Sequence, residues 1–140
     1  MPNVRSASSS DVPAVLAFWE VATTEPSSTD DVDSVQQLLT FAPDALLLAT
    51  NDDDEIVGTV VVGWDGWRGT LYRLGVAPDR RREGIAAMLV DAAEAQLRAR
   101  GAQRLHLIVA GGQPVAEAFW TSAGYARTDQ HRFVKTFTTE

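Results

Sequence analysis

The stretch Leu74-Gly75-Val76-Ala77-Pro78-Asp79-Arg80-Arg81-Arg82-Glu83-Gly84-Ile85-Ala86-Ala87 has the residue types and spacing to do chemistry. An apolar run ends at Val76, three arginines turn the chain, and Gly84 opens a helical pattern. The first turn of a helix has N–H groups without intrahelical acceptors and carries a partial positive charge. Gly84 lets a ligand approach the backbone closely, and Ala86 and Ala87 keep the turn open. Such a turn can cradle a phosphate or pyrophosphate. The alternative is a solvated basic turn ahead of a helix. The chain has neither Gly-Lys-Ser/Thr at this point nor Gly-x-Gly-x-x-Gly, so a nucleoside triphosphate or a nicotinamide dinucleotide finds no support.

Other reactive side chains are sparse. The absence of cysteine excludes disulfides, thiolate metal sites, iron–sulfur clusters and a thiol nucleophile. His106 alternates with Leu105 and Leu107, which reads as a packed histidine on a strand. His131 lies far from it in sequence with no ligand pattern nearby, so no metal site is expected.

The elements that must position the arginine turn follow from periodicity. Val4–Ala7 reads as a first strand, and Ser10 or Asp11 as the cap of a helix with Pro13 in its first turn. Val12, Val15, Leu16, Trp19 and Ala22 recur at helical spacing, and a polar loop spans Thr24–Asp31. Asp33–Phe41 reads as a second helix, ended by Pro43-Asp44. Ala45–Thr50 and Glu55–Trp64 form a hairpin about Asn51–Asp54. Gly63–Gly69, with Trp64 and Trp67, reads as a second hairpin loop before a strand at Thr70–Val76. Gly84–Arg100 is the strongest helix, with Gly101 as its left-handed end. Arg104–Ala110 reads as a buried strand, Pro114–Ala123 as a short helix stopped by Gly124, and Tyr125–Phe137 as β-prone. The expected class is α+β (mixed α/β), with a mostly antiparallel sheet, one local parallel pair and about four flanking helices.

The chain has 140 residues and is 45% hydrophobic, which points to one domain over residues 1–140. A chain of this size buries roughly two-thirds of its unfolded surface, enough for a core without covalent staples. Residues 1–60 carry Arg5 against eleven acidic residues, whereas residues 61–140 carry eleven basic against eight acidic. The split suggests two ligand surfaces of opposite preference, or ordinary surface polarity. The net charge of −7 disfavours nonspecific nucleic-acid binding. The polar start MPNVRSASSSD is not a secretory signal, and no apolar stretch approaches the ~20 residues that span a bilayer, so no membrane partner is expected. A cysteine-free chain fits a reducing, cytoplasmic setting.

Two segments carry a resemblance. Arg81-Arg82-Glu83-Gly84-Ile85-Ala86 is similar to the Q/R-x-x-G-x-G/A signature of the GNAT N-acetyltransferase superfamily, flanked by Leu74–Pro78 and Met88-Leu89-Val90. Ala116-Glu117-Ala118-Phe119-Trp120-Thr121-Ser122-Ala123-Gly124-Tyr125 resembles that family's C-terminal A-x-x-[FL]-Y-x-x-x-G-[FY] pattern. The element order also matches, strongly from Leu74 to Tyr125 and weakly before Ala45.

The resemblance implies a GNAT fold and transfer of an acetyl group from acetyl-CoA to an amine by direct attack on the thioester. Acetyl-CoA would lie where Thr70–Val76 splays from Arg104–Ala110. Backbone amides from Arg81 and Arg82 through Glu83, Gly84, Ile85, Ala86 and Ala87 would hold the pyrophosphate. Leu74, Gly75 and Val76 would pair with the pantetheine arm like an added strand, and Gln113 and Trp120 would complete the cofactor site. The amide of Leu74 or Gly75 would polarise the thioester carbonyl.

Many relatives carry a tyrosine acid where this chain has Trp120, whose indole N–H cannot serve as an acid near neutral pH. Tyr72 stands where many relatives place a glutamate, so it would orient the amine or a water leading to Asp65, Glu20 or Glu25. Trp19, Trp64, Trp67 and Tyr72 are candidate acceptor contacts, with core packing or loop anchoring the alternative for Trp64 and Trp67. The acidic first half would attract a cationic amine. The expected acceptor is therefore a primary amine of a small cationic metabolite. The alternatives are a protein or peptide amine, or an acyl-CoA-binding module without turnover. Dimers are common among similar proteins, so the resemblance allows a homodimer.

Overall fold

A computed structural model describes residues 2–22, 27–109 and 113–137. The chain divides into two units between Ile108 and Val109. The first contains strands β1 (Asn3–Ser6), β2 (Leu46–Thr50), β3 (Ile56–Trp64), β4 (Gly69–Val76) and β5 (Leu105–His106). It also contains helices α1 (Val12–Ala22), α2 (Val32–Phe41) and α3 (Ile85–Ala99); the second unit contains α4 (Pro114–Ser122). The strands lie side by side in chain order. The first three pairings are antiparallel, and β4 with β5 is parallel, as expected of the strand–helix–strand crossover through α3.

All five residues of β2 are buried, because the sheet is covered on both faces. Leu46 and Leu48 pack with Val12, Val15 and Trp19 of α1 and with Val35 and Leu39 of α2. The opposite face carries α3, whose Ile85, Leu89, Ala93 and Leu97 recur every four residues and are buried. Glycines set that approach. A Cβ on Gly58 would lie 2.8 Å from Leu89 Cδ1, and one on Gly69 only 2.6 Å from Leu97 Cδ1.

Several boundaries differ from the sequence expectation. The first helix is entered through Ser8, not Ser10 or Asp11. A 3-10 turn, Ser9–Asp11, precedes α1, and the Asp11 carboxylate accepts the Ser8 N–H at 2.8 Å. The second hairpin loop shrinks to residues 65–68, because β3 runs through Trp64 and β4 starts at Gly69. The expected buried strand Arg104–Ala110 is reduced to Leu105–His106, which pairs only with Gly69 and Thr70; Ala110 lies outside the described residues. Residues 125–137 form no strand, since β propensity becomes structure only where a partner edge supplies the ladder. Gly101 and Gly124 adopt the expected left-handed conformation after α3 and α4.

Candidate active site

β4 carries an extra residue against β3. Tyr72 pairs with Val61 and Gly75 with Thr59, so Arg73 and Leu74 together oppose Val60. This is a β-bulge. Arg73 sits at φ 52, a conformation that costs a side-chain-bearing residue about 1–2 kcal/mol. Tertiary contacts hold it there. Thr59 Oγ1 donates to the Arg73 carbonyl at 2.9 Å, and the Arg73 guanidinium lies 2.5 and 2.6 Å from the two Asp30 carboxylate oxygens.

On its other edge β4 leaves β5 after Thr70. Among the described residues no strand of this sheet flanks Leu71–Val76 there. Within the first unit the backbone groups of that edge are thus left without a ladder partner, with Leu74 half-buried and Gly75 buried. The chain then crosses a 3-10 turn, Pro78–Arg80, and reaches the arginine loop, where Arg82 (φ 68) and Gly84 (φ 82) are both left-handed. Arg80 Nε pairs with Glu83 at 3.0 Å across the turn, leaving Arg81 and Arg82 exposed.

α3 has no side-chain cap. Its first helical bond is from Met88 N–H to Gly84 C=O, so the N–H groups of Gly84, Ile85, Ala86 and Ala87 have no intrahelical acceptor. A Cβ on Gly84 would meet nothing within 4 Å, so the space in front of these amides is open. These residues fit a pyrophosphate. The Ile85 side chain is turned inward against the sheet, so only its amide can serve a ligand.

The acceptor candidates are not brought together as one wall. Trp19 is buried in the α1/α2 core and donates its indole N–H to Thr59 Oγ1 at 3.0 Å. Tyr72 is 53% exposed on the same sheet face, beside Gly63. Trp64 neighbours Gly63 on an alternating strand and so projects from the opposite face. Trp67 is exposed at the hairpin tip, where the Arg68 guanidinium already covers one ring face at 4.0 Å.

Gln113 and Trp120 lie in the second unit. Gln113 is the N-cap of α4 without a side-chain cap bond. Trp120 stands edge-on to Phe119 and Tyr125, with ring centres 5.1 and 5.0 Å away. Of the carboxylates considered for a water chain, Asp65 accepts the N–H groups of Trp67 and Arg68, and these hold it below the ordinary carboxylate range. Glu20 is exposed on α1, and Glu25 falls outside the described residues.

His106 is exposed, not packed. Its Nε2 lies 3.2 Å from Thr70 Oγ1, on the sheet face that also bears Tyr72. The alternation that buries neither neighbour fully was the available signal: it turns His106 away from Leu105 and Leu107. Sequence reasoning also missed Thr59, Arg73 and Asp30. The one hint was a threonine within the apolar run Val57–Val62. Among the described residues no three His, Asp or Glu side chains group where they could hold a metal ion, and no helix is long and apolar enough to cross a membrane.

A bulged strand that parts from its parallel neighbour after Thr70 thus leads, through the arginine loop, into an uncapped helix start. Residues 12–125 match the acetyltransferase (GNAT) family model. An acetyltransferase of Pectobacterium atrosepticum is 40% identical over 99 residues, covering 71% of this chain and 70% of that one. Ard1 from Thermoplasma volcanium superposes with a TM-score of 0.81 at 20% identity, over 91% of this chain and 84% of that one. The structure of AAC(6')-Iy in complex with the bisubstrate analogue CoA-S-monomethyl-acetylneamine superposes with a TM-score of 0.75 at 14% identity, over 99% of each chain. The chain belongs to the GNAT acetyltransferase family and has its fold, an α+β mixed sheet with one parallel pair. It is an acetyl-CoA-dependent N-acetyltransferase.

Proposed function

We infer that this enzyme acetylates the primary amine of a small cationic metabolite. The uncapped start of α3, beside a β4 edge that has no ladder partner among the described residues, supports the acyl-donor half of this reading. Bound acetyl-CoA supplies an acetyl group activated as a thioester. The amides of Arg81 through Ala87 would hold its pyrophosphate, with Arg81 and Arg82 adding attraction for the anion. The Leu74–Val76 edge would hold the pantetheine arm, and Gln113 and Trp120 are further cofactor contacts by resemblance. The amide of Leu74 or Gly75 would meet the negative charge that develops on the carbonyl oxygen, a contribution worth ~10²–10³ in rate. Tyr72, exposed beside the splay, would orient the amine or a water. The indole of Trp120 cannot give up a proton, so the leaving thiolate would take one from solvent. The acidic first sixty residues support a cationic acceptor.

Thermal unfolding with acetyl-CoA tests the donor site. Ligand at ~100 times Kd adds about 2.7 kcal/mol, a rise of roughly 5–10 °C for a domain of this size. Folded Gly84→Trp should show no rise. A folded wild type that does not respond at millimolar acetyl-CoA sinks the donor assignment. Thiol release over a panel of diamines, monoamines and peptide amines tests the acceptor. Diamine turnover should fall with added salt, and salt-independent turnover or a preference for peptides would overturn the cationic class.

A further inference from the structure

We propose that Thr59, Arg73 and Asp30 are positioning residues that tie residues 27–31, which lead into α2 and would border the acceptor, to the bulge of β4, so that the acceptor side and the acyl side of the site are set together. The proposal rests on the acetyl-transfer reading.

The hydrogen-bond chain has a fixed direction. The indole N–H of Trp19 can only donate, so Thr59 Oγ1 accepts it at 3.0 Å. The single hydroxyl proton of Thr59 is then left for the Arg73 carbonyl at 2.9 Å. Thr59 is fully buried, which shields its hydroxyl from bulk solvent. The same residue is held from its other end. The Arg73 guanidinium grips both oxygens of Asp30 and lies 5.3 Å from the centre of the Trp19 ring. Asp30 in turn accepts the Ser27 N–H at 3.1 Å, and Asp31 caps α2 by accepting the Ser34 N–H at 2.7 Å.

Arg73 therefore has its carbonyl fastened to Thr59 of β3, and through it to Trp19 of α1, and its side chain fastened to the segment leading into α2. Left-handed backbone at a non-glycine residue persists only where its surroundings over-determine it. The next two amides after Arg73 are those of Leu74 and Gly75, the carbonyl-polarising candidates. Rotating the Arg73 peptide would re-aim them. A shift of residues 27–31 would pull on the same residue through Asp30.

The test combines kinetics with amide hydrogen exchange of the ligand-free protein. Thr59→Val keeps the side-chain shape but removes the relay. It should lower kcat by about 10–100-fold, less than outright loss of an oxyanion donor, while the KM for acetyl-CoA stays within about threefold. Thr59→Ser should restore most of kcat. Asp30→Asn should raise the acceptor KM by roughly tenfold, the loss expected of a part-buried ion pair, and speed exchange at Leu74 and Gly75. Full kcat in Thr59→Val, or equal losses in Thr59→Val and Thr59→Ser, would overturn the positioning role. Unchanged exchange at Leu74 and Gly75 in Asp30→Asn would overturn the coupling. If Thr59→Val does not fold, Thr59→Ser and Asp30→Asn decide the matter. A wild type without acetyl-CoA binding or turnover would end the acetyl-transfer reading instead, and the exchange arm would still judge the tie.

Discussion

The two faces of the sheet are covered by different means. Under α3 the strands carry Gly58 and Gly69, and the helix sits so close that a single added carbon would collide with Leu89 or Leu97. The α1/α2 face is covered at β2 and β3 by apolar packing, whereas Tyr72 of β4 and His106 of β5 are exposed on it. The closed face fixes α3, whose start is the proposed anion site. The exposed part of the other face is where the proposed acceptor amine would approach. Rigidity on one side and access on the other are what an acyl transfer between two bound molecules requires.

The sharpest way to break this contrast is to hollow the closed face. Leu89 is fully buried under α3, so Leu89→Ala should cost about 3 kcal/mol through lost burial and a cavity. Urea unfolding measures it, and a loss below about 1 kcal/mol would mean that α3 is seated more loosely than its contacts imply. Paired glycine variants sharpen the comparison. Gly69→Ala should cost roughly 2 kcal/mol, because the new carbon meets buried Leu97. Gly63→Ala meets Tyr72 Cε2 at 3.2 Å, the end of a side chain free to swing into solvent, and should cost under about 0.5 kcal/mol. Equal Tm losses for the two would contradict the open-face description.

The smallest effect concerns charge at the rim of the α1/α2 face. Arg5 binds Asp11 at 2.8 and 3.0 Å, and this contact, with the Ser8 N–H, holds the Asp11 carboxyl well below the ordinary range. A depressed carboxyl stabilises the fold at pH values above the unfolded value of about 4, and the gain fades as pH falls below it. Asp11→Asn should cost about 1 kcal/mol at pH 7, discounted for solvent access to Arg5. Denaturant midpoints at pH 7 and pH 3 should show the gap to wild type shrinking in acid. A gap that is constant with pH would assign the loss to the capping hydrogen bond instead.

The helix start proposed as an anion site was legible because every part of it is local. Arg80–Ala87 are consecutive, and a helix start exposes its amides whatever packs around it. The helix α3 announced itself through residues four apart, and Gly101 through its place after them. The hairpin of β2 and β3 was read from apolar runs about a polar turn. The bulge was not legible. It depends on which β3 residue each β4 residue faces, and nothing within Leu71–Val76 records that Gly75 pairs with Thr59. Trp19 was read both as part of a helix stripe and as an acceptor contact; only its burial against Thr59 distinguishes the two. The β-prone residues 125–137 lacked a partner edge, so propensity alone led nowhere.

By itself the sequence determined the local chemistry of this enzyme: the uncapped helix start, the basic loop, the strands and the helix that flank them. These follow from short-range periodicity and from groups a few residues apart. Tertiary structure decided how the acyl end of β4 is shaped and held. Trp19, Thr59, Asp30 and Arg73 are up to 54 positions apart in the chain. Their hydrogen bonds exist only after the α1/α2 layer has closed on the sheet and excluded water from the Thr59 hydroxyl.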